Sequence, residues 1–285
     1  MSDADASPGA ASGAVSGAGS ESGAVSEAVR YEVSDHVAVI TLNRPAARNA
    51  VNHDVAVGLE SAIDALENDP DVWVGVLCAN SAGQARPVFC AGADLKAIEA
   101  GQLDTLMTAR GGFAGFVFRE RAKPVVVAVD GLATAGGLEI VLAADLVVAS
   151  TRSAFGLAEV KRNLVASSGG LFRLPRAIGQ AAALDAILTG EPIEATRAFA
   201  LGLVSRLVEP GEALTEALRL AEQIAAAAPL AVRASRRIVR AAATTDDDTL
   251  RAMSDQEFRR LLDSEDTKEG LAAFIEKRSP RWSGR

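Results

Sequence analysis

The chain has 285 residues, and its 49% hydrophobic content is enough to bury a sizeable core in one large domain or two small ones. A formal charge of -8 and a pI of about 5.0 argue against the basic stripe that nucleic-acid binding requires, so no nucleic-acid partner is expected. Two cysteines, Cys78 and Cys90, are too few for a disulfide framework and read as ordinary buried residues of a reducing compartment.

Residues 1–28 are mainly Ala, Gly and Ser, a composition that cannot offset the entropy of ordering, and they are expected to form a disordered tail. They lack the basic and apolar regions of a targeting signal. The longest apolar stretch, 138–149, is broken by Glu139 and Asp145 and is too short to cross a bilayer. A cytoplasmic protein with no membrane partner is therefore expected.

From Tyr31 onward the pattern changes. Residues 37–42 alternate as a strand covered on both faces, and Asn43-Arg44-Pro45 ends it. Asn52 then caps a helix with apolar positions Val55, Leu59, Ala62, Ile63 and Leu66, which stops at Asn68-Asp69-Pro70 before a second strand over 72–78. Strand, helix, strand is a βαβ unit. A polar loop (80–86) leads to an apolar run that breaks at Ala91-Gly92-Ala93. Residues 97–120 read as broken helix, with Phe113, Phe116 and Phe118 either walling a pocket or filling core.

Residues 124–129 form a third parallel-strand candidate, followed by Gly131 to Glu139, where a strand hands over to a helix over 135–144. A strand over 146–149 comes next, then Ala154-Phe155-Gly156 leads to Glu159, and Ser167-Ser168-Gly169-Gly170 opens another helix. Beyond Gly179 the chain reads as helical apart from a strand over 203–208. Leu214, Leu218, Ala221, Ile224 and Ala225 mark one stripe, with amphipathic segments over 230–242, 247–262 and 268–278.

Nucleotide-binding glycine loops, the GxSxG elbow and the HExxH and CxxC metal patterns are all missing, and no metal site is expected. With only His36 and His53, a histidine triad is improbable, so acid and base work falls to carboxylates. Ala91-Gly92-Ala93-Asp94 and Ala135-Gly136-Gly137 each place small residues at a strand-to-helix transition. Free amides in such turns can converge on one oxygen and stabilise developing negative charge.

Ile40-Thr41-Leu42-Asn43-Arg44-Pro45, Asn49-Ala50, Phe89 to Leu95, Ala128 to Gly131 with Gly136-Gly137-Leu138-Glu139, and Phe155-Gly156-Leu157-Ala158-Glu159 resemble, in order, the motifs of the crotonase superfamily of enoyl-CoA hydratases and isomerases. The resemblance covers about 31–282, and Ala273 to Arg278 is similar to that family's C-terminal helix. It implies an α/β fold: a crotonase-like spiral of ββα units over 29–210 carrying the active site, then a helical trimerisation region over 211–285. It implies a homotrimer or dimer of trimers acting on an acyl-CoA thioester, with no separate cofactor because coenzyme A is part of the substrate. The oxyanion-hole amides would be those of Ala93 and Gly136, and the catalytic carboxylates Glu139, mainly for water, and Glu159, mainly for the Cα proton. Ala91, Asp94, Arg48, Lys96 and Ser167 would border the substrate, with Arg86, Lys277 and Arg278 as further candidates for CoA. Lys161-Arg162 and Leu164 to Ser168 depart from the family pattern. The implied activity is enoyl-CoA hydration; isomerisation, another crotonase reaction, or a silent acyl-CoA- or protein-binding scaffold are the alternatives.

Overall fold

A computed structural model describes Ser22–Gly23 and residues 26–285. The expected tail lies mostly outside the described residues. Two of its residues form β1 (Ser22–Gly23), which pairs antiparallel with β2 (Val29–Ser34), and Ala28 is buried. An edge strand pairs through backbone groups, so a small-residue composition does not forbid it.

β3 (Val37–Leu42) pairs antiparallel with β2 and parallel with β4 (Val74–Ala79). The crossover is α1 (His53–Asn68), capped as expected by the Asn52 side chain, which accepts from the Val55 amide at 3.1 Å. All five apolar positions read from the sequence are buried on this helix.

A repeat begins at β4. It is followed by β5 (Val88–Cys90) and α2 (Leu95–Glu99), and then by a small hairpin of β6 (Met107–Thr108) and β7 (Gly112–Phe113). The broken helix expected over 97–120 is thus one short helix, a 3₁₀ turn at Leu103–Leu106 and a hairpin. Glycines at 101, 111 and 112 favour turns over helix propagation. Next come β8 (Val125–Val129), β9 (Leu132–Thr134) and α3 (Gly136–Ala143), then β10 (Leu146–Ser150) and β11 (Ala154–Gly156).

β4, β8 and β10 are parallel neighbours in a seven-stranded sheet, ordered β1-β2-β3-β4-β8-β10 and then the later strand at Arg206–Val208. β5, β9 and β11 are parallel neighbours in a second, four-stranded sheet, and the last strand of that sheet is Ile193–Glu194. Each turn of the chain therefore gives one strand to each sheet. This is the ββα spiral implied by the resemblance.

After β11, α4 (Gly170–Ile178) and α5 (Gln180–Thr189) precede β12 (Ile193–Glu194), α6 (Ala195–Ala200) and β13 (Arg206–Val208). α7 (Ala213–Ala225) then packs on the large sheet through Ala213, Ala217, Leu220 and Ala221, against Val74, Val76, Val126 and Val148. The stripe expected through Leu214 is thus rotated; Leu214 itself is exposed, because alanines let this helix approach the sheet closely. The first helix of the region after 210, α7, thus joins the core on the large sheet.

α8 (Pro229–Ala241), α9 (Asp247–Leu262) and α10 (Glu265–Glu276) complete the chain. Asp145 ties α8 to the core. It pairs with Arg236 at 2.9 Å and Arg240 at 3.0 Å, lies 3.8 Å from buried Arg121, and accepts the Val125 amide. Among the described residues no helix is long and apolar enough to cross a membrane.

Candidate active site

The carboxyl ends of the three parallel strands β5, β9 and β11 lie side by side, the usual place for ligands in open parallel sheets. Ala93 comes after the first, Gly136 after the second and Glu159 after the third. Residue 93 forms a parallel bridge with Val51, in which Val51 donates to the Gly92 carbonyl and accepts from the Asp94 amide, both at 2.8 Å. That pattern uses the groups on either side of Ala93 and leaves its own N–H facing away. Gly136 opens α3, where a first-turn amide has no intrahelical acceptor. Among the described residues neither amide has a protein acceptor.

The two turns touch closely. A Cβ on Gly92, which adopts φ +85°, would sit 2.9 Å from the Gly136 nitrogen. One on Gly137 would sit 2.1 Å from the Cys90 carbonyl oxygen, so only glycine lets α3 start this near β5. Ala135, between β9 and α3, holds φ 52° and ψ -128°, a costly conformation for a residue with a Cβ. Its amide donates to the Gly156 carbonyl at 2.8 Å, which over-determines the turn.

Glu139 projects from the first turn of α3 and is 3% exposed. Its Oε1 accepts from the Ser168 amide at 2.7 Å and the Gly170 amide at 3.0 Å. Arg173 donates to the Ser168 and Val117 carbonyls and so steadies the segment that supplies those amides. Burial pushes the Glu139 carboxyl above its ordinary range; the Glu159 charge adds to this, while the two amides and Arg173 oppose it. Glu159 begins a 3₁₀ turn, Glu159–Arg162, and is likewise pushed upward by burial, against the pull of its own backbone amide and of Arg162. Its Oε2 is buried and has no hydrogen-bond partner among the described residues.

Both carboxylates line one cavity of about 440 Å³, together with Ala91, Ala93, Gly136, Ser167 and Ser168. The rest of the wall is largely apolar: Leu95, Ile98, Leu103 and Met107 from the α2 region, Phe113, Leu164 and Val165. Of the three phenylalanines left open between core and pocket, Phe113 does both, Phe116 is buried under Arg121, and Phe118 is 45% exposed.

Three expected substrate contacts do not line this cavity. Arg48 is exposed, and its carbonyl accepts the Ala91 amide at 3.1 Å. Asp94 caps α2 and pairs with Arg44 at 3.0 Å, while Lys96 is exposed. Arg278 pairs with Glu269 and Glu276.

Several contributing residues had no role assigned from the sequence. Buried Asn49, at φ 52°, accepts the Arg44 amide and donates to the Asn80 and Val88 carbonyls, locking the loop that faces Ala93. The signal for it was present as Asn49-Ala50 within the recurring motifs. Arg162 was visible only as a departure from pattern, and it lines the cavity. Among the described residues no group of three His, Cys, Asp or Glu side chains is placed to hold a metal ion.

A family model described as Enoyl-CoA hydratase/isomerase matches residues 32–285. The chain is 41% identical over 262 residues to an (E)-benzylidenesuccinyl-CoA hydratase of Thauera aromatica, covering 90% of this chain and 99% of that protein. It is 36% identical to a short-chain-enoyl-CoA hydratase of Clostridium acetobutylicum, covering 87% and 94%. Its fold is similar to the crystal structure of an enoyl-CoA hydratase from Mycobacterium tuberculosis H37Rv, with a TM-score of 0.85, 45% identity, and coverage of 91% and 100%.

Proposed function

The chain belongs to the enoyl-CoA hydratase/isomerase family, as a hydratase- or dehydratase-type member acting on CoA thioesters, and on that premise we propose that it adds water reversibly across the double bond of a trans-2-enoyl-CoA to give a 3-hydroxyacyl-CoA. The observation that carries this reading is a pair of carboxylates, buried Glu139 and half-buried Glu159, lining one largely apolar cavity beside two amides that have no protein acceptor among the described residues.

In this reading the amides of Ala93 and Gly136 hold the thioester oxygen, and the N-terminus of α3 favours the negative charge that gathers there. Glu139, held by two amide donors, is the fixed carboxylate that takes a proton from water as the oxygen attacks Cβ. The electron pair of the double bond moves through Cα onto the thioester oxygen as an enolate. Glu159 then delivers a proton to Cα. Its Oε2 has no hydrogen-bond partner among the described residues, which leaves it free to exchange a proton with the substrate, and burial pushes its pKa upward. Ser167 and Ala91 border the same space and make room for the acyl group.

The assembly is taken as a homotrimer or dimer of trimers. Phe274 and Ile275 of α10, 84% and 78% exposed, support a subunit contact there, and light scattering on the purified protein measures the mass. Incubation with trans-2-enoyl-CoAs of several lengths tests the reaction. Loss of conjugated-thioester absorbance with a 3-hydroxyacyl product is expected. Double-bond migration alone would make the protein an isomerase, and binding without turnover a scaffold.

A further inference from the structure

We propose that Arg162 is a specificity residue that selects acyl-CoA substrates whose acyl chain ends in a second carboxylate. The inference rests on the hydratase reading for the reaction, but its recognition element can be measured without turnover.

Arg162 is the one cation lining the cavity among the described residues, in a wall that is otherwise apolar apart from the two glutamates, Thr134 and the serines. Its neighbour Lys161 points to a different partner, pairing with Glu191 at 2.6 Å. Arg162 is an exposed residue at the cavity wall, and among the described residues it has neither an ion pair nor a hydrogen bond, although its charge acts on Glu159. A plain hydrocarbon chain laid over that guanidinium would take it from water without offering an acceptor.

The local geometry sets it beside Glu159 on the cavity wall. Glu159 to Arg162 form one 3₁₀ turn, in which residues three apart eclipse on the same face. Arg162 therefore shares the face of Glu159, its backbone displaced along the axis by about 6 Å at the usual 3₁₀ rise. With Glu159 serving Cα, a guanidinium on that backbone can reach an acyl group a few carbons from Cα. A planar five-donor fork there matches a carboxylate in bidentate fashion, which neither a hydroxyl nor a methyl terminus reproduces. Leu164 and Val165, 53% and 66% exposed beside it, would be covered by the same chain, shielding the ion pair from water.

The test compares trans-2-hexenedioyl-CoA with trans-2-hexenoyl-CoA in kcat/KM, and their saturated counterparts adipoyl-CoA and hexanoyl-CoA in Kd by calorimetry, for the wild type, Arg162→Gln and Arg162→Lys. The wild type is expected to favour the dicarboxylic compound in both measurements. Arg162→Gln should cost that compound about 10- to 100-fold more than it costs the hexenoyl compound, the range for a charge-assisted pair, whatever smaller loss the two share through Glu159. Arg162→Lys should restore part of the preference. Equal losses on both substrates, with a shifted pH profile for each, would mean that Arg162 acts through Glu159 and would overturn the proposal. So would an equal rise in both Kd values, which would mark a contact to CoA itself. If adipoyl-CoA is preferred in binding yet neither enoyl compound is hydrated, the reaction reading fails while the recognition stands.

Discussion

Replacing Glu139 with Gln separates chemistry from architecture. The Oε1 that accepts the Ser168 and Gly170 amides at 2.7 and 3.0 Å has a counterpart in the glutamine carbonyl, so both hydrogen bonds and the packing of α3 can survive. The loss is the basic oxygen facing the cavity. Removal of a positioned general base costs about 10²- to 10⁴-fold, or about 3 to 5 kcal/mol of transition-state stabilisation. Stability should move the other way. Burial raises the Glu139 pKa, so the folded protein holds this proton to a higher pH than the unfolded chain does. The native state then binds more protons than the unfolded state between the ordinary and the raised value, and stability falls as pH rises through that window. Glutamine removes the fall. Glu139→Gln should therefore melt at or above the wild-type temperature at pH 7, with a weaker pH dependence, while kcat drops by the factor given. Enoyl-CoA absorbance and a pH series of melting curves measure both. A variant that keeps more than about half of wild-type activity, or melts well below the wild type at pH 7, refutes the assignment of Glu139 as a buried, catalytically charged base.

Glu159→Gln should cost a comparable factor, and the double variant should be little worse than either single one, because in the proposed reaction the two carboxylates act on one water and one enolate; single-turnover rates decide this. Asp145→Ala leaves Arg121, Arg236 and Arg240 without their shared carboxylate and should destabilise by about 3 to 5 kcal/mol in urea unfolding. Burial works against Asp145, yet Arg121 and Arg236 hold its pKa below the usual range, so its contribution is present at neutral pH and is lost as pH falls through that lowered value. The acid limb of the stability curve should flatten in this variant. Gly92→Ala should abolish hydration or folding, since its Cβ would meet the Gly136 nitrogen at 2.9 Å from a positive-φ backbone; circular dichroism tells the two apart. Cys90, fully buried with a thiol pushed up to about 12, and Cys78, also buried and raised, should react with thiol reagents only on unfolding.

Legibility in the sequence divides along physical lines. The strand at Val37–Leu42, the helix capped by Asn52 and the parallel strand at Val125–Val129 carry their own periodicity and capping chemistry, so local pattern sufficed. β9 and β11, three residues each, have no room for a periodicity; they exist because the second sheet pairs them, a long-range fact. The same holds for residues 97–120, where turns and a hairpin wall the cavity. Glu139 and Glu159 stood out through surrounding motifs, and the structure puts them in one cavity. Arg48, Asp94 and Lys96 were expected near the substrate from the resemblance; Asp94 caps α2, and Arg48 and Lys96 are exposed outside the cavity wall. Arg162 was legible as a charge out of place, but its place in the cavity wall depended on the 3₁₀ turn.

The second sheet acts as a ladder whose rungs β5, β9 and β11 each end in one working part: an amide, an amide opening the helix that bears a carboxylate, and a carboxylate. The rungs are held by backbone pairing, which is indifferent to the side chains beyond each strand end. Substitutions in the segment trailing the third rung, 160–168, therefore leave the pairing that sets the first two strand ends untouched. The wall of the cavity beyond Glu159 can be rewritten there while the two amides at the ends of β5 and β9 keep their places.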